Sequence, residues 1–99
     1  MYIQVAGNEV QINLTGRLYV EEAMRLREQA FQYLDQGYKN VILNFKDVQY
    51  IDSSGLGAVI STHKHAIGKG GHVKVKELHG EVKALFLLTK LDYILDLEN

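Results

Sequence analysis

The chain has 99 residues, of which 46% are hydrophobic and 23% charged, a composition typical of one soluble globular domain and not of a disordered tail. A formal net charge of −1 provides no positive field that would attract nucleic acid or anionic lipid. The lack of cysteine excludes disulfides and thiolate catalysis, and no apolar stretch is long enough to cross a bilayer. We therefore expect a single domain over residues 1–99, in the cytoplasm, without nucleic acid partners or membrane insertion.

The amino-terminal sequence predicts a β-hairpin followed by a helix. Apolar residues alternate with polar ones on both sides of Gly7-Asn8, a pair that favours a tight turn. Thr15-Gly16-Arg17 is predicted to end the second strand, and the helix is predicted to begin near Val20 and to stop at Gly37. Its expected core stripe consists of Val20, Ala23, Leu26, Ala30 and Leu34, widened by Met24 and Phe31.

The middle of the chain predicts two further strands around a second helix. Residues 41–45 have no alternation and predict a central strand covered on both faces, whereas residues 46–50 predict a polar connection. A helix is expected from about Asp52. The alternation around Val73 predicts a strand with one wet face, and a third helical segment follows Gly80.

The resulting order is strand, strand, helix, strand, helix, strand, helix. It predicts an α/β domain with a mixed β-sheet of about four to five strands and with helices after strands 2, 3 and 4. The apolar residues within 91–97 fit a short strand or a helical turn equally well, so the conformation of this last segment stays open.

Residues 51–57 read Ile-Asp-Ser-Ser-Gly-Leu-Gly and place two hydroxyls at the start of the predicted second helix. Backbone N–H groups lack intrahelical partners there and the helix dipole is positive, so Asp52 or Ser53 can cap the helix and a phosphate on Ser54 would meet donors. This segment therefore suits a phosphorylation site. The alternative is that Asp52 and Ser53 only cap the helix while the glycines permit close packing or an unusual turn.

Other chemistry is not indicated by the sequence. His63 and His65 are two residues apart on a helix, point in different directions and are expected to be solvated, and no histidine spacing indicates a metal centre. Ser54 lacks the Gly-x-Ser-x-Gly spacing of a nucleophile elbow. The lysines of the second half are interrupted by acidic residues and are interpreted as a solvated face. We expect no catalysis, no metal and no cofactor.

The chain resembles the STAS domain, the module shared by anti-sigma factor antagonists and the cytoplasmic tails of sulphate transporters. The resemblance covers nearly the full length and rests on residues 14–18 (Leu-Thr-Gly-Arg-Leu), residues 41–45 (Val-Ile-Leu-Asn-Phe) and above all residues 50–57 (Tyr-Ile-Asp-Ser-Ser-Gly-Leu-Gly). It implies that Ser54 is phosphorylated by the partner, an anti-sigma factor that is also a serine kinase. It implies a partner-binding surface that includes Thr15, Gly16, Arg17, Asp52, Ser53, Gly55, Leu56 and Gly57.

The resemblance also implies how such a protein works. The unphosphorylated form would bind the anti-sigma factor and free a sigma factor, and a serine phosphatase of the metal-dependent class would restore the binding form. The family commonly has an acidic residue at the position of Tyr19. This departure affects recognition of the chain by a standard kinase. Thr89-Lys90-Leu91 lacks the glycine often found after the third helix, and the chain reaches Asn99 before the family's usual last helix.

A second function fits the same resemblance. The chain would then be a STAS scaffold or an accessory subunit of a signalling or transporter complex, which binds partners without controlling a sigma factor. Tyr19 and the short terminus are compatible with it. A small serine hydrolase would need a base and oxyanion donors around Ser54, and no local arrangement in the sequence provides them.

Overall fold

The computed structural model describes residues 1–98, and within them a five-stranded sheet is accompanied by three α-helices and one 3-10 turn. The strands are β1 (Tyr2–Ala6), β2 (Glu9–Leu18), β3 (Asn40–Ile51), β4 (His72–Lys76) and β5 (Asp96–Glu98). The helices are α1 (Val20–Asp35), α2 (Ser53–Gly68) and α3 (Gly80–Leu88). The predicted α/β fold, with helices after strands 2, 3 and 4, is confirmed.

The strands lie in the order β1-β2-β3-β4-β5, with β1 antiparallel to β2 and the other neighbours parallel. Because β2 to β5 follow one another across the sheet in one direction, right-handed crossovers place all three helices on the same face. The carboxyl ends of the parallel strands meet at one edge of the sheet. The connections that precede α1, α2 and α3 therefore lie side by side at that edge.

The hydrophobic core lies between this face of the sheet and the helices. Val10 and Ile12 of β2 and Leu43 and Phe45 of β3 have no exposed surface. Phe45 meets Phe86 of α3 edge to face, with ring centroids 5.5 Å apart. The alternate residues of both strands point away from the core, so the sheet buries one face against the helices.

Helix α1 carries only part of its predicted stripe into the core. Ala23, Leu26, Ala30 and Leu34 are buried as expected. Val20 and Met24 were predicted for the same stripe, but they are 58% and 54% exposed. The prediction fails for these two because the first turn of α1 stands at the sheet edge, where Val20 borders an open cleft, and Met24 lies on the flank beside Ala23.

The other face of the sheet is polar and carries no helix. Asn13 is 3% exposed, and its side-chain oxygen accepts hydrogen bonds of 2.8 Å from the amides of Gln11 and Asn44. Ile42 and Asn44 on β3 are only half-buried. The prediction that residues 41–45 are covered on both faces is therefore wrong, because polar side chains of neighbouring strands flank Ile42 there. The predicted wet face of β4 is found on this side.

Strands β2 and β3 are longer than the sequence predicts. Residues 15–17 do not end β2, and residues 46–50 are not a connection, because the two segments pair with each other up to Leu18 and Ile51. Two register shifts interrupt the pairing, and Gly16 adopts a left-handed φ of +72° between them. Val48 is fully buried. This continuation carries both strands to the edge at which the serine pair lies.

The carboxyl-terminal segment uses both of the conformations that the sequence left open. A 3-10 turn at Leu91–Tyr93 follows the left-handed Lys90, and β5 then pairs with β4. Lys74 and Lys76 stand opposite Asp96 and Glu98 in this pairing. Asn99 lies outside the described residues. None of the helices in residues 1–98 has the length and apolar character needed to span a bilayer.

Candidate functional site

The serine pair lies where strand β3 passes into helix α2. Asp52 has extended backbone angles and caps the helix, its Oδ1 accepting a hydrogen bond of 3.1 Å from the Gly55 amide. The Leu56 amide donates to the Asp52 carbonyl at 3.0 Å and begins the helical pattern. The predicted helix start at Asp52 and Ser53 is therefore confirmed, with Asp52 as the cap.

This capping pattern leaves two backbone donors at the helix start. The amides of Ser53 and Ser54 have no hydrogen-bond acceptor within residues 1–98. They occupy the first two positions of α2, where N–H groups point out of the helix and the dipole is positive. An anion attached to either serine would find these donors within the same turn.

The two hydroxyls differ in exposure. Ser53 is exposed, whereas Ser54 is half-buried. Neither hydroxyl has a hydrogen-bond partner among the side chains and backbone of residues 1–98, and neither is sealed beneath other groups. A second protein can therefore reach Ser54 without unfolding the helix.

The two glycines of the segment have different roles. Gly55 is buried, and a Cβ at this position would lie 2.3 Å from the Leu18 carbonyl oxygen and 2.6 Å from Cγ1 of Ile51. Helix α2 thus approaches the ends of β2 and β3 more closely than any side chain would allow. A Cβ at Gly57 would meet nothing within 4 Å. Of the two glycines in residues 51–57, only Gly55 has the close-packing role that the sequence offered as an alternative.

The structure brings some of the predicted partner-binding residues together. Arg17 shares a cleft of about 440 Å³ with Asp52, so the ends of β2 and β3 border one surface with the serine pair. Thr15 and Gly16 pair with Asp47 and Val48 further back along the strands. Thr15 accepts a hydrogen bond of 3.4 Å from the amino terminus.

Leu56 packs partly against the core, so its side chain contributes to the domain's own packing.

Two aromatic residues at this edge were not predicted from the sequence as part of the partner-binding surface. Tyr19, directly after β2, is 39% exposed and borders the cleft with Arg17 and Asp52. Tyr50, near the end of β3, is 46% exposed, and the Arg17 guanidinium carbon lies 5.6 Å from the centroid of its ring. The pairing of β2 with β3 places Arg17 opposite Tyr50 after two register shifts, which no local pattern indicates.

His63 and His65 lie in the carboxyl-terminal half of α2, away from the serine pair. His65 Nε2 lies 2.7 Å from Oδ1 of Asp35, and its ring stacks on Phe31 with centroids 4.0 Å apart. Nδ1 of His63 is buried without a partner among residues 1–98. The expectation that His63 and His65 are solvated is therefore wrong, because His65 contacts α1 and the Nδ1 atom of His63 is buried. Residues 1–98 contain no group of three potential metal ligands.

The contact between α1 and α2 also changes the acidity of Asp35. The hydrogen bond from His65 lowers the pKa of Asp35 below its ordinary value of 3.8, and Lys69, whose Nζ lies 3.4 Å away, adds to this effect. The lysines do not gather into one patch, since Lys69 faces Asp35 and Lys74 lies 3.9 Å from Glu98.

Fold and site together define a small α/β domain that presents a serine-bearing helix start at the carboxyl edge of its sheet. The chain belongs to the STAS domain family, whose model matches residues 2–99. The resemblance seen in the sequence is thereby confirmed. Among curated relatives, the anti-sigma-B factor antagonist of Bacillus subtilis (strain 168) is 36% identical over 90 residues, which are 91% of this chain and 82% of the relative.

Solved structures share the fold over nearly the whole chain. A crystal structure of a candidate anti-sigma factor antagonist from Thermotoga maritima is 25% identical, with a TM-score of 0.91 over 99% of this chain and 85% of that one. The Bacillus protein SpoIIAA in its phosphorylated form is 20% identical, with a TM-score of 0.79 over 99% of this chain and 90% of that one. This second likeness shows the fold alone.

Proposed function

We propose that this chain is a phosphorylation-regulated anti-sigma factor antagonist. With Ser54 unphosphorylated, it binds an anti-sigma factor that is also a serine kinase, and a sigma factor is released. The kinase transfers a phosphoryl group to Ser54 and the complex dissociates. A serine phosphatase of the metal-dependent class removes the phosphate and restores binding. We place this cycle in the cytoplasm.

The position of Ser54 is the observation that carries the proposal. Its hydroxyl is half-buried at the second position of α2, beside two amides that lack acceptors within residues 1–98. A phosphoryl group adds a charge of about −1.5 to −2, which the helix dipole and these donors favour. The fold can therefore carry the modification without rearrangement.

The same phosphate would be costly in a complex. A partner that packs against the start of α2 must desolvate the phosphate and make room for it. If this weakens the complex by about 3 kcal/mol, affinity falls on the order of 100-fold, which is enough to redistribute the partner. The switch therefore acts on binding and not on folding.

The surroundings of Ser54 favour a binding role over catalysis. A hydrolase would need a base within hydrogen-bond reach of the hydroxyl. Three of the histidines have other hydrogen-bond partners: the Nε2 atoms of His65, His72 and His79 lie 2.7 to 2.8 Å from Asp35, Asp96 and the Lys46 carbonyl. No base contacts Ser54 within residues 1–98. The domain itself is proposed to catalyse nothing.

Phosphorylation mapping tests the proposal. The chain is incubated with the anti-sigma factor kinase of the same bacterium and ATP, and the modified residue is identified by mass spectrometry. We expect one phosphate on Ser54, none on Ser54→Ala, and unchanged labelling of Ser53→Ala at Ser54. Label on Ser53, or a labelled Ser54→Ala variant, would contradict the assignment.

The scaffold function gives a different result in light scattering. A regulated antagonist forms a small complex with its kinase that dissociates on addition of ATP. A scaffold or accessory subunit would form large assemblies, or would bind a transporter ATPase stably, whether or not Ser54 carries a phosphate.

A further inference from the structure

Several exposed apolar side chains lie on the elements that flank the start of α2. Tyr19 and Tyr50 are 39% and 46% exposed, and Val20 and Met24 of the first turns of α1 are also exposed. Tyr19 belongs to the β2–α1 connection and Tyr50 to the end of β3, so they reach the serine pair from different elements. The two rings are not part of the domain's core.

Open clefts lie beside these rings. Tyr19 borders the cleft of about 440 Å³ that includes Arg17 and Asp52. Tyr50 borders a second cleft of about 250 Å³, whose other wall is formed by Glu81 and Val82 of α3. The serine pair begins α2, two residues after the end of β3. The protein therefore presents two exposed tyrosine rings near the serine pair, each beside a cleft that a partner's surface can fill.

Tyr50 contacts Arg17. The guanidinium carbon of Arg17 lies 5.6 Å from the centroid of the Tyr50 ring, within the range of an attractive cation–π contact. Tyrosine and arginine are, with tryptophan, enriched among the residues that dominate binding energy, and tyrosine loses little side-chain freedom on association. Arg17 and Tyr50 thus form one contact unit beside Asp52.

The rims of these clefts are acidic. Their linings include the carboxylates of Glu21, Glu22, Asp52 and Glu81, but a single guanidinium, that of Arg17. Glu22 is paired with Arg25 at 3.1 Å, whereas Glu21 and Glu81 are exposed and have no ion-pair partner within residues 1–98. A complementary surface would have apolar pockets for the two rings and basic residues around them.

We propose that Tyr19 and Tyr50 are the principal anchors for the partner, and that the partner presents two apolar pockets bordered by Lys and Arg. This inference rests on the proposed function, because it takes the partner to be the anti-sigma factor kinase. A basic rim on the partner would attract the charge of a phosphate on Ser54. The loss of affinity on phosphorylation is therefore assigned to the size of the phosphate and to the cost of desolvating it at the centre of the interface.

Titration calorimetry with the anti-sigma factor kinase of the same bacterium tests the anchors. We expect Tyr19→Ala and Tyr50→Ala to weaken binding by about 30-fold each, and Tyr19→Phe to retain most of the affinity. Tyr93→Ala is the matched control, because Tyr93 is 81% exposed and precedes the amino end of β5, at the opposite edge of the sheet. Thermal unfolding of each variant establishes that it is folded.

The outcomes separate this inference from the proposed function. If the unchanged chain binds the kinase and both alanine variants bind equally well, the anchors are wrong while the proposed function stands. If the unchanged chain does not bind, both fall. Salt dependence tests the basic rim of the partner separately: raising NaCl from about 50 to about 500 mM should weaken binding markedly, and Glu21→Gln with Glu81→Gln should flatten this dependence. Binding that does not respond to salt would overturn the basic rim.

Discussion

The two ends of helix α2 are built in opposite ways. At its carboxyl-terminal half, His65 is fixed to α1 by the carboxylate of Asp35 and the ring of Phe31. At its amino-terminal end, Asp52 supplies the only side-chain N-cap in residues 1–98, and the hydroxyls and amides of Ser53 and Ser54 have no partners there. One end is used to hold the helix in place, and the other leaves polar groups available to a second molecule.

This difference indicates how a regulatory modification can be accommodated in a small domain. The helix is positioned by contacts distant from Ser54 and by the close approach of Gly55 to β2 and β3. A charge added at Ser54 then changes the surface without displacing the contacts that hold the helix.

Gly55→Ala should have the largest effect on stability. Its Cβ would overlap the Leu18 carbonyl oxygen, which belongs to the backbone and cannot rotate away, so we expect a loss of about 3 kcal/mol or more in the free energy of unfolding. Gly57→Ala is the matched control, because its Cβ meets nothing within 4 Å. Since alanine is the better helix former, that variant should be unchanged or up to about 1 kcal/mol more stable. Urea denaturation measures the free energy of unfolding of both variants. Equal losses in the two would contradict the close contact of Gly55 with Leu18.

Asp52→Ala should have the next largest effect. It removes the oxygen that accepts from the Gly55 amide and should cost about 1 kcal/mol in urea denaturation. Asp52→Asn retains an accepting oxygen and should lose much less. If the alanine variant is as stable as the unchanged protein, the cap contributes nothing to the position of the helix start.

His65→Ala tests the opposite end of α2. The stacking contact with Phe31 and the hydrogen bond to Asp35 are both lost, and we expect a loss on the order of 1 kcal/mol in thermal or urea unfolding. Binding of the kinase should be unchanged, because the site lies at the other end of the helix. A His65→Ala variant that folds but does not bind would contradict the separation of the two ends.

Asp35 should give the smallest effect, one that is present at neutral pH and disappears in acid. Its pKa is lowered in the folded protein, chiefly by the hydrogen bond from His65, so its stabilising contribution is present above the unfolded value near 3.8 and is lost as the pH falls through the folded value. The stability of Asp35→Asn should therefore be lower than that of the unchanged chain at neutral pH, and the difference should vanish in strong acid. A difference that grows on acidification would contradict the lowered pKa.

The sequence predicts the start of α2 better than its surroundings. The order of elements and the helix start at Asp52 follow from local signals: an apolar run, a capping residue and two glycines. Residues 46–50 were predicted as a connection because polar side chains on the open face of a sheet look like a loop. The irregular pairing of β2 with β3 brings Arg17 opposite Tyr50, and the contact between Asp35 and His65 joins residues 30 positions apart. These contacts are formed by tertiary packing between distant segments, which local sequence patterns do not predict.

The most direct test of the central claim is to compare the chain phosphorylated on Ser54 with the unmodified chain in both binding and stability. We expect affinity for the anti-sigma factor kinase to fall on the order of 100-fold, with the melting temperature essentially unchanged. Equal affinity of the two forms would contradict the proposed switch. A large fall in melting temperature would contradict the claim that the start of α2 accepts the phosphate within the intact fold.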